Sequence, residues 1–527
     1  MNAPVHPIHF QPDATRSGRN ARPASFFDDL AVRIKRRTQC EVLTDAASRG
    51  RYATDASIYQ IMPLGVALPR SDEDLRGLVD LAAEQSLPLL PRGGGTSQCG
   101  QTVGEALVID CSKHLNKLIS VDVAAREAVV QPGMVLDHLN AQLKPRGLWF
   151  PVDVSTSAQA TLGGMAGNNS CGSRSIEYGN MVHNVAGLDL LLSDGSELQL
   201  GRFDSPLNHP RLREIVSQLH VIAAREQDEI ERVWPKVLRR VAGYNLDIFH
   251  PQSEKPYTAD GVVNLAHLLI GAEGTLGLTQ RLRLNLAPLP KAKTLGVVNF
   301  ASFYQAMELT QHIVKLKPVA VELVDRTMIE LARDNPAFRP TIDAALVDAK
   351  GTPEAILLVE FAGEDRNTQL AKLGDLVTLM ADLGLPGSVV EMPDEKAQKT
   401  LWEVRKAGLN IMMSMKGDGK PISFIEDCAV PLPHLAEYTA KLTEVFARHG
   451  TRGTWYAHAS VGTLHVRPVL DMRRGDARKM RAIAEEAGAL VRAYKGAFSG
   501  EHGDGIARGE WISWQYGERI MNAFGEI

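Results

Sequence analysis

The sequence predicts an α+β protein of about three structural units in 527 residues. Three observations carry that class. Strand-like and helix-like segments alternate regularly after residue 290. The first half contains two β-hairpin patterns. A capped amphipathic helix there runs straight into a strand that ends in consecutive glycines.

The helix is the stretch after Ser71. Asp74 stands at its third position, and Leu75, Leu78, Val79, Ala82 and Ala83 recur at helical spacing. LPLLP follows as a short buried strand and leads into RGGGTS. KLISVD and EAVVQ flank the short VAAR connection as a hairpin. GLDLLLSDGSELQL forms a second, turning at Asp194-Gly195. Residues 209–233 read as helix. LAPLPKAK (286–293) is a proline-bearing joint.

Beyond the joint come TLGVVNF, a helix near 302–316, VAVELVD, a helix near 326–334, ILLVEFA, a helix near 366–384, and SVVEM. Two successive β-α-β units predict a ferredoxin-like antiparallel sheet with helices on one face. Helices near 395–413, 432–448 and 474–494 complete this half. The expected division is a flexible tail over 1–34, a first domain over 35–290, a second over 291–495, and a C-terminal segment over 496–527.

Composition is that of an ordinary globular protein, with 44% apolar and 23% charged residues. A net charge of -4 gives no reason to expect nucleic acid as a partner. No apolar run is long enough to span a bilayer. Cys40, Cys99, Cys111, Cys171 and Cys428 are scattered without a CxxC pair, against a disulfide framework or a cysteine-held iron–sulfur cluster. A reducing compartment fits. The N-terminus has Arg16, Arg19 and Arg22 but no apolar core, so it is not a secretory signal. The expected location is cytoplasmic, with peripheral contact at the inner membrane face left open.

Three glycine-rich loops point to chemistry. PRGGGTS (91–97) leaves its backbone N–H groups uncovered, a nest suited to phosphate oxygens. It lacks a Walker ending and the GxGxxG spacing. PVDVSTSAQATLGGMAGNNSCGSRSIEYGN (151–180) is long for a loop in a compact domain, and such loops are usually functional. GAEGTLGL (271–278) is the third. Together they favour an extended phosphate-bearing cofactor over three unrelated turns.

Two further stretches converge on a second kind of site. HASVGTLH holds His458 and His465, and SGEHGDG holds Glu501 and His502. Histidines seven apart on a straight strand face opposite ways, but Gly462 permits a bend that brings both imidazoles to one side. Two histidines and a carboxylate make a three-ligand divalent site with open positions. Bracing of a core by hydrogen-bonded histidines is the structural alternative.

PRGGGTS, TLGGMAGNNSCG and GAEGTLG, in this order, resemble the flavin domain of the vanillyl-alcohol oxidase / p-cresol methylhydroxylase (PCMH) superfamily. HASVGTLHV and SGEHGDG are similar to its D-lactate dehydrogenase / glycolate oxidase / D-2-hydroxyglutarate dehydrogenase branch. The resemblance runs from about residue 35 to the end. It implies a PCMH-type flavin domain of two α+β subdomains and a ferredoxin-like substrate (cap) domain.

The resemblance also implies FAD. Its pyrophosphate would lie on Arg92, Gly93, Gly94, Gly95, Thr96, Ser97 and Gln98. The flavin and ribityl would be enclosed by Pro151, Asp153, Thr161, Gly163, Gly164, Gly167, Asn168, Asn169, Gly172, Tyr178 and Gly179, together with Glu273, Gly274, Leu276 and Gly277. Thr96 stands in a first loop with no attachment histidine, so non-covalent FAD is expected. His458, His465 and Glu501 match the branch's metal ligands for Zn²⁺ or Mn²⁺, and His502 its proton-abstracting base. Ser460 and Val461 replace a Gly-Asp pair in the branch's HxGDGNLH pattern. Arg405 in LWEVRKAG matches the arginine that holds the substrate carboxylate. Ile425 stands where the hydroxyglutarate branch has a lysine, with Lys420 as a substitute. Tyr244 and Asn245 match a segment facing the flavin pocket.

The implied activity is oxidation of a D-2-hydroxy acid, of the D-lactate or D-2-hydroxyglutarate class, to the 2-oxo acid. The rivals are a metal-free flavin oxidase of another alcohol and a non-catalytic flavin-binding subunit. Expected partners are a protein or quinone electron acceptor and further copies of the chain. Longer relatives carry iron–sulfur domains beyond the point where this sequence stops at NAFGEI, so a fragment and one half of a split enzyme both remain open.

Overall fold

The structure is a computed structural model and describes residues 22–204, 207, 209–348 and 351–527. The first 21 residues of the expected tail lie outside the described residues. From Ala24 to Arg37 the chain is helical, not a tail, and Leu30 and Ile34 of this helix are buried. Phe26, Leu30 and Ile34 recur every four residues and join the core under the first sheet.

The flavin half has two subdomains. A four-stranded sheet takes the order Glu41–Leu43, Gly65–Leu68, Leu107–Asp110, Leu89–Arg92. Its last three strands are parallel, with helix Asp72–Gln85 as crossover. The Ser71 hydroxyl caps that helix by accepting from the Asp74 amide. A five-stranded antiparallel sheet contains both expected hairpins, with Leu278–Asn285 between them.

In the second half, strands Val389–Met392, Ala292–Phe300, Ala355–Gly363 and Ala320–Asp325 lie side by side, all antiparallel. Numbered along the chain, their order is 4-1-3-2, which two interleaved β-α-β units produce. One face carries the largest core, around Val298, Phe361 and Phe446; the other carries a second core around Leu295, Leu358, Met328 and Leu401, so helices cover both faces and not the one expected.

Four more strands extend this sheet past the expected unit, two of them the short pieces Lys420–Pro421 and Cys428–Ala429 beside the last long strand. Gly453–His458 pairs with Ala320–Asp325, setting His458 opposite Glu322. Thr463–Leu470 returns beside it as a hairpin. The turn between them is Ala459–Val461 and Gly462, with φ +66° at the glycine. A Cβ there would stand 1.9 Å from the Val430 carbonyl oxygen, so only glycine fits.

Candidate active site

The hairpin turn does what Gly462 was expected to allow. His458 and His465 have ring centroids 4.9 Å apart, and His465 stacks on His502 at 5.1 Å. Glu501 Oε1 lies 3.0 Å from His465 Nε2, 3.2 Å from His502 Nε2 and 3.5 Å from His458 Nε2. Three imidazoles therefore address one carboxylate oxygen. The other oxygen accepts from the fully buried Arg239 at 2.5 Å.

Partners from distant segments hold each group. His458 Nδ1 is 2.7 Å from Glu322 Oε1, and Glu322 Oε2 accepts from Arg405 at 2.6 Å. The carboxylate thus fixes the imidazole and leaves Nε2 facing Glu501. The loop at 500–502 hangs on Asp427, whose carboxylate accepts from the backbone N–H of Gly500, Glu501 and His502 at 2.8–3.1 Å. Glu426 Oε1 lies 3.2 Å from His502 Nδ1 and accepts from Arg508 at 2.9 Å. Arg508 also donates to the Gly503 carbonyl, locking the turn after His502.

Charge follows from this packing. Burial drives the His465 imidazole down to about 3, so it is neutral with a lone pair to offer. Burial and Arg239 oppose protonation of His458, but Glu322 and Glu501 outweigh them and raise it. Burial likewise opposes protonation of His502, but Asp427, Glu426 and Glu501 raise it well above the usual range. Burial pushes Glu501 up, yet His458, Arg239 and His465 hold it well below the carboxylate range.

One cavity of about 790 Å³ joins this cluster to the first glycine-rich loop. Gly93 to Gln98 line one end, with Asp153, Thr161, Gly164, Asn168 and Gly172; Arg405, His458, His465, Glu501 and His502 line the other. A smaller adjoining cavity of about 110 Å³ takes Arg92, Gly163, Gly167, Glu273, Gly274, Leu276 and Gly277. The Arg92 guanidinium donates to the carbonyls of Thr102 and Thr54, so it ties its loop down. Glu273, at φ +51°, accepts from the amides of Asp504 and Gly505 and joins the third glycine loop to SGEHGDG.

Several expected positions stand elsewhere. Pro151, Asn169, Tyr178 and Gly179 line neither cavity. Asn169 accepts from the Val182 amide, Tyr178 packs edge-on against Trp149, and Gly179 makes a turn at φ +74°. These residues shape the long loop from behind. Tyr244 and Asn245 are also outside the cavity. The Tyr244 hydroxyl meets Thr275, and Asn245 donates to the carbonyls of His267 and Ile270. Lys420 pairs opposite Leu470, and its ammonium is spent on the Met415 carbonyl.

The donor set suits a divalent ion. Donor atoms of Asp427, His465, Glu501 and His502 lie within 4.8 Å of one another. Asp427 is committed to three backbone N–H groups, and His458 stands beside this group with its Nε2 3.5 Å from Glu501 Oε1 and its Nδ1 on Glu322. At the other end, the long groove beside the glycine nest suits an extended dinucleotide.

Residues 63–201 match the family described as FAD binding domain, and residues 289–527 match FAD linked oxidases, C-terminal domain. The chain is thus a flavoprotein of the FAD-linked oxidoreductases, with a PCMH-type flavin domain and an FAD-linked oxidase C-terminal domain. It is 33% identical to a D-2-hydroxyglutarate dehydrogenase of Pantoea ananatis over 92% of its own length and 48% of the relative's. It is 31% identical to the Escherichia coli enzyme of that name, over 91% and 48%. The chain spans about half the length of these curated relatives. A glycolate oxidase subunit GlcD of Bacillus subtilis is 25% identical over 91% of this chain and 89% of that one. The fold is shared with p-cresol methylhydroxylase, at TM-score 0.65 and 12% identity over 95% and 94% of the two chains. It is also shared with alkyldihydroxyacetonephosphate synthase, at TM-score 0.64 and 16% identity over 96% and 83%.

Proposed function

We propose that the chain oxidises a D-2-hydroxy acid, of the D-2-hydroxyglutarate or D-lactate class, to the 2-oxo acid. The observation that carries this reading is the single cavity running from the glycine nest to the imidazole cluster. A substrate there meets the cofactor groove on one side and a cation, a base and a ligand set on the other. The names of the relatives agree with it.

FAD held along the glycine nest would supply the hydride acceptor for the Cα hydrogen, and a divalent ion held by His458, His465 and Glu501 would supply the charge that makes the hydroxyl more acidic. Arg405 binds the carboxylate through guanidinium positions that Glu322 leaves free. His502 Nε2 faces the hydroxyl as proton acceptor, the ring being neutral when a cation offsets the Glu501 charge that otherwise keeps it protonated, while Glu426 holds Nδ1 and so fixes the ring. Asp427 keeps His502 and Glu501 in one rigid turn. The FAD is held without a covalent bond. Electrons pass to a protein or quinone acceptor, with an iron–sulfur partner as one form of it. The protein works in the cytoplasm as a homo-oligomer.

The test is anaerobic addition of D-2-hydroxyglutarate, D-lactate and their L-isomers to the FAD-loaded protein. Bleaching of the flavin band by a D-acid and not by its mirror image is expected. A flavin left oxidised by all four acids refutes the reading.

A further inference from the structure

The two oxygens of Glu501 have different surroundings. Oε1 meets His465 Nε2, His502 Nε2 and His458 Nε2 at 3.0, 3.2 and 3.5 Å. Oε2 accepts from Arg239 Nη1 at 2.5 Å and from the Cys171 thiol at 3.6 Å. A carboxylate oxygen has two lone-pair directions, so Oε2 is fully used.

Arg239 is not free to follow the carboxylate. It is fully buried. Its Nε donates to Ser175 Oγ at 2.9 Å and its Nη2 donates to the Gly172 carbonyl. Both partners belong to the long glycine-rich loop, and Gly172 lines the main cavity. A planar guanidinium tied at three nitrogens keeps its orientation. The Glu501 side chain is therefore aimed from the flavin domain, while its backbone N–H hangs on Asp427.

A tetrahedral site with metal–ligand bonds of about 2.0 Å has ligand–ligand edges of about 3.3 Å. The separations around Oε1 run from 3.0 to 3.5 Å and match that edge. To grip an ion with both oxygens, Glu501 would have to pull Oε2 away from Arg239. Glu322 and Asp427 act on that arginine from farther off, but Glu501 is the carboxylate it pairs with. Stranding a buried guanidinium is costly, so the second oxygen stays where it is.

We infer that Arg239 is a positioning residue: by occupying Oε2 it makes Glu501 a one-oxygen ligand and keeps the coordination number of the bound ion low. Such a site favours ions content with four ligands over those that take six, mostly oxygen. The inference rests on the proposed divalent site of His458, His465 and Glu501 and states what sets its geometry.

The experiment loads the FAD-containing protein with Co²⁺ and reads visible absorption beyond the flavin bands. Four-coordinate cobalt absorbs strongly there, and five- or six-coordinate cobalt weakly. Wild type should give the strong spectrum. Arg239→Met should give the weak one, because Oε2 is then free to join the ion. Arg239→Lys should restore the strong one, since an ammonium still holds Oε2 while the contacts to Ser175 and Gly172 are lost. Competition between Zn²⁺ and Mn²⁺ should divide the variants in the same way. The preference for zinc should fall about tenfold in Arg239→Met, the lower end for loss of a partner behind a ligand, and stay within about threefold of wild type in Arg239→Lys. If Arg239→Met does not fold, infrared difference spectra of wild type with ¹³C-labelled glutamate, zinc-bound minus zinc-free, carry the test. A wide splitting of the carboxylate stretches is expected, and a narrow one, the mark of chelation, overturns the inference. A folded Arg239→Met with the wild-type spectrum and preference overturns it too. So does an equal change in both variants, which would make Arg239 a brace of the glycine-rich loop alone. A wild type that takes up neither cobalt nor zinc defeats the metal site itself, a separate result, and the inference falls with it.

Discussion

Replacing Glu322 by glutamine tests the link between His458, a metal ligand in the proposed reading, and Arg405, its proposed carboxylate binder. Glu322 is fully buried and holds two charge-assisted contacts, to His458 Nδ1 at 2.7 Å and from Arg405 Nη2 at 2.6 Å. Glutamine has the same shape but one acceptor oxygen, so one contact must be lost and an N–H₂ then faces a donor. Breaking a buried pair costs about 3–5 kcal/mol when one charge is left uncompensated. The oxygen that remains recovers about 1 kcal/mol. The expected destabilisation is thus about 2–4 kcal/mol, read from the urea transition of the cap by tryptophan fluorescence. His458 also loses the group that orients Nε2, and such losses weaken metal binding about 10–100-fold. A double-mutant cycle with Arg405→Met should show coupling above about 1 kcal/mol, because once Arg405 is gone the loss of the Glu322 charge no longer leaves a buried guanidinium unpaired. An unchanged transition together with unchanged zinc affinity would refute the reasoning: Glu322 would then be a bystander.

Four further outcomes follow from the same geometry. His502→Asn should slow flavin reduction about 10²–10⁴-fold with substrate binding nearly normal, and a rate within threefold of wild type removes His502 as base. Chelation, or His465→Ala, should abolish turnover while FAD stays bound; full activity with no divalent ion would exclude the metal. Acid precipitation should release all the yellow colour into the supernatant, and colour left in the pellet would mean a covalent flavin. Burial pushes the Asp325 carboxyl up to about 6, against about 3.9 in an unfolded chain. The folded state therefore holds a proton between those values that the unfolded state has released, so stability falls as pH rises through that window. Wild type should lose about 3 kcal/mol relative to Asp325→Asn between pH 4 and 7, and a constant difference across that range would count against it.

What the sequence disclosed depended on how local the signal was. The glycine loops were legible because three adjacent glycines have few other uses. The histidine hairpin was legible because both imidazoles and the bending glycine sit within eight residues. Glu322, Asp427, Arg239 and Arg508 were not, although each touches the site. They sit among apolar neighbours, and their role depends on strand register and loop docking across up to 262 residues, as in the Arg239–Glu501 pair. The adjacent acids of IEDCAV were the one hint available, since two buried carboxylates in a row need partners. Lys420 was misplaced for a related reason. It pairs with Leu470, five strand residues past His465, and at about 3.3 Å per residue that is about 17 Å from the imidazoles. Tyr244 and Asn245 were misplaced because a resemblance fixes a segment, not the direction of its side chains.

The same distinction explains how the two halves of the protein make one site. The flavin domain brings the nest, and the cap brings the histidine hairpin, but neither holds the SGEHGDG loop alone. SGEHGDG is pinned from the cap by Asp427 and Glu426, and from the flavin domain by Glu273, Gln101 and Asn168. Gln101 accepts no substitute easily, since it donates to the His502 carbonyl at 2.7 Å while also reaching Glu273. The contacts that Gln101, Asn168 and Glu273 make to this stretch cross from the flavin domain to the C-terminal domain. Loosening that boundary should disturb base and cofactor geometry together. Two buried ionic ties cross there, Arg174–Glu360 and Arg239–Glu501, each costly to bring together and costlier to break.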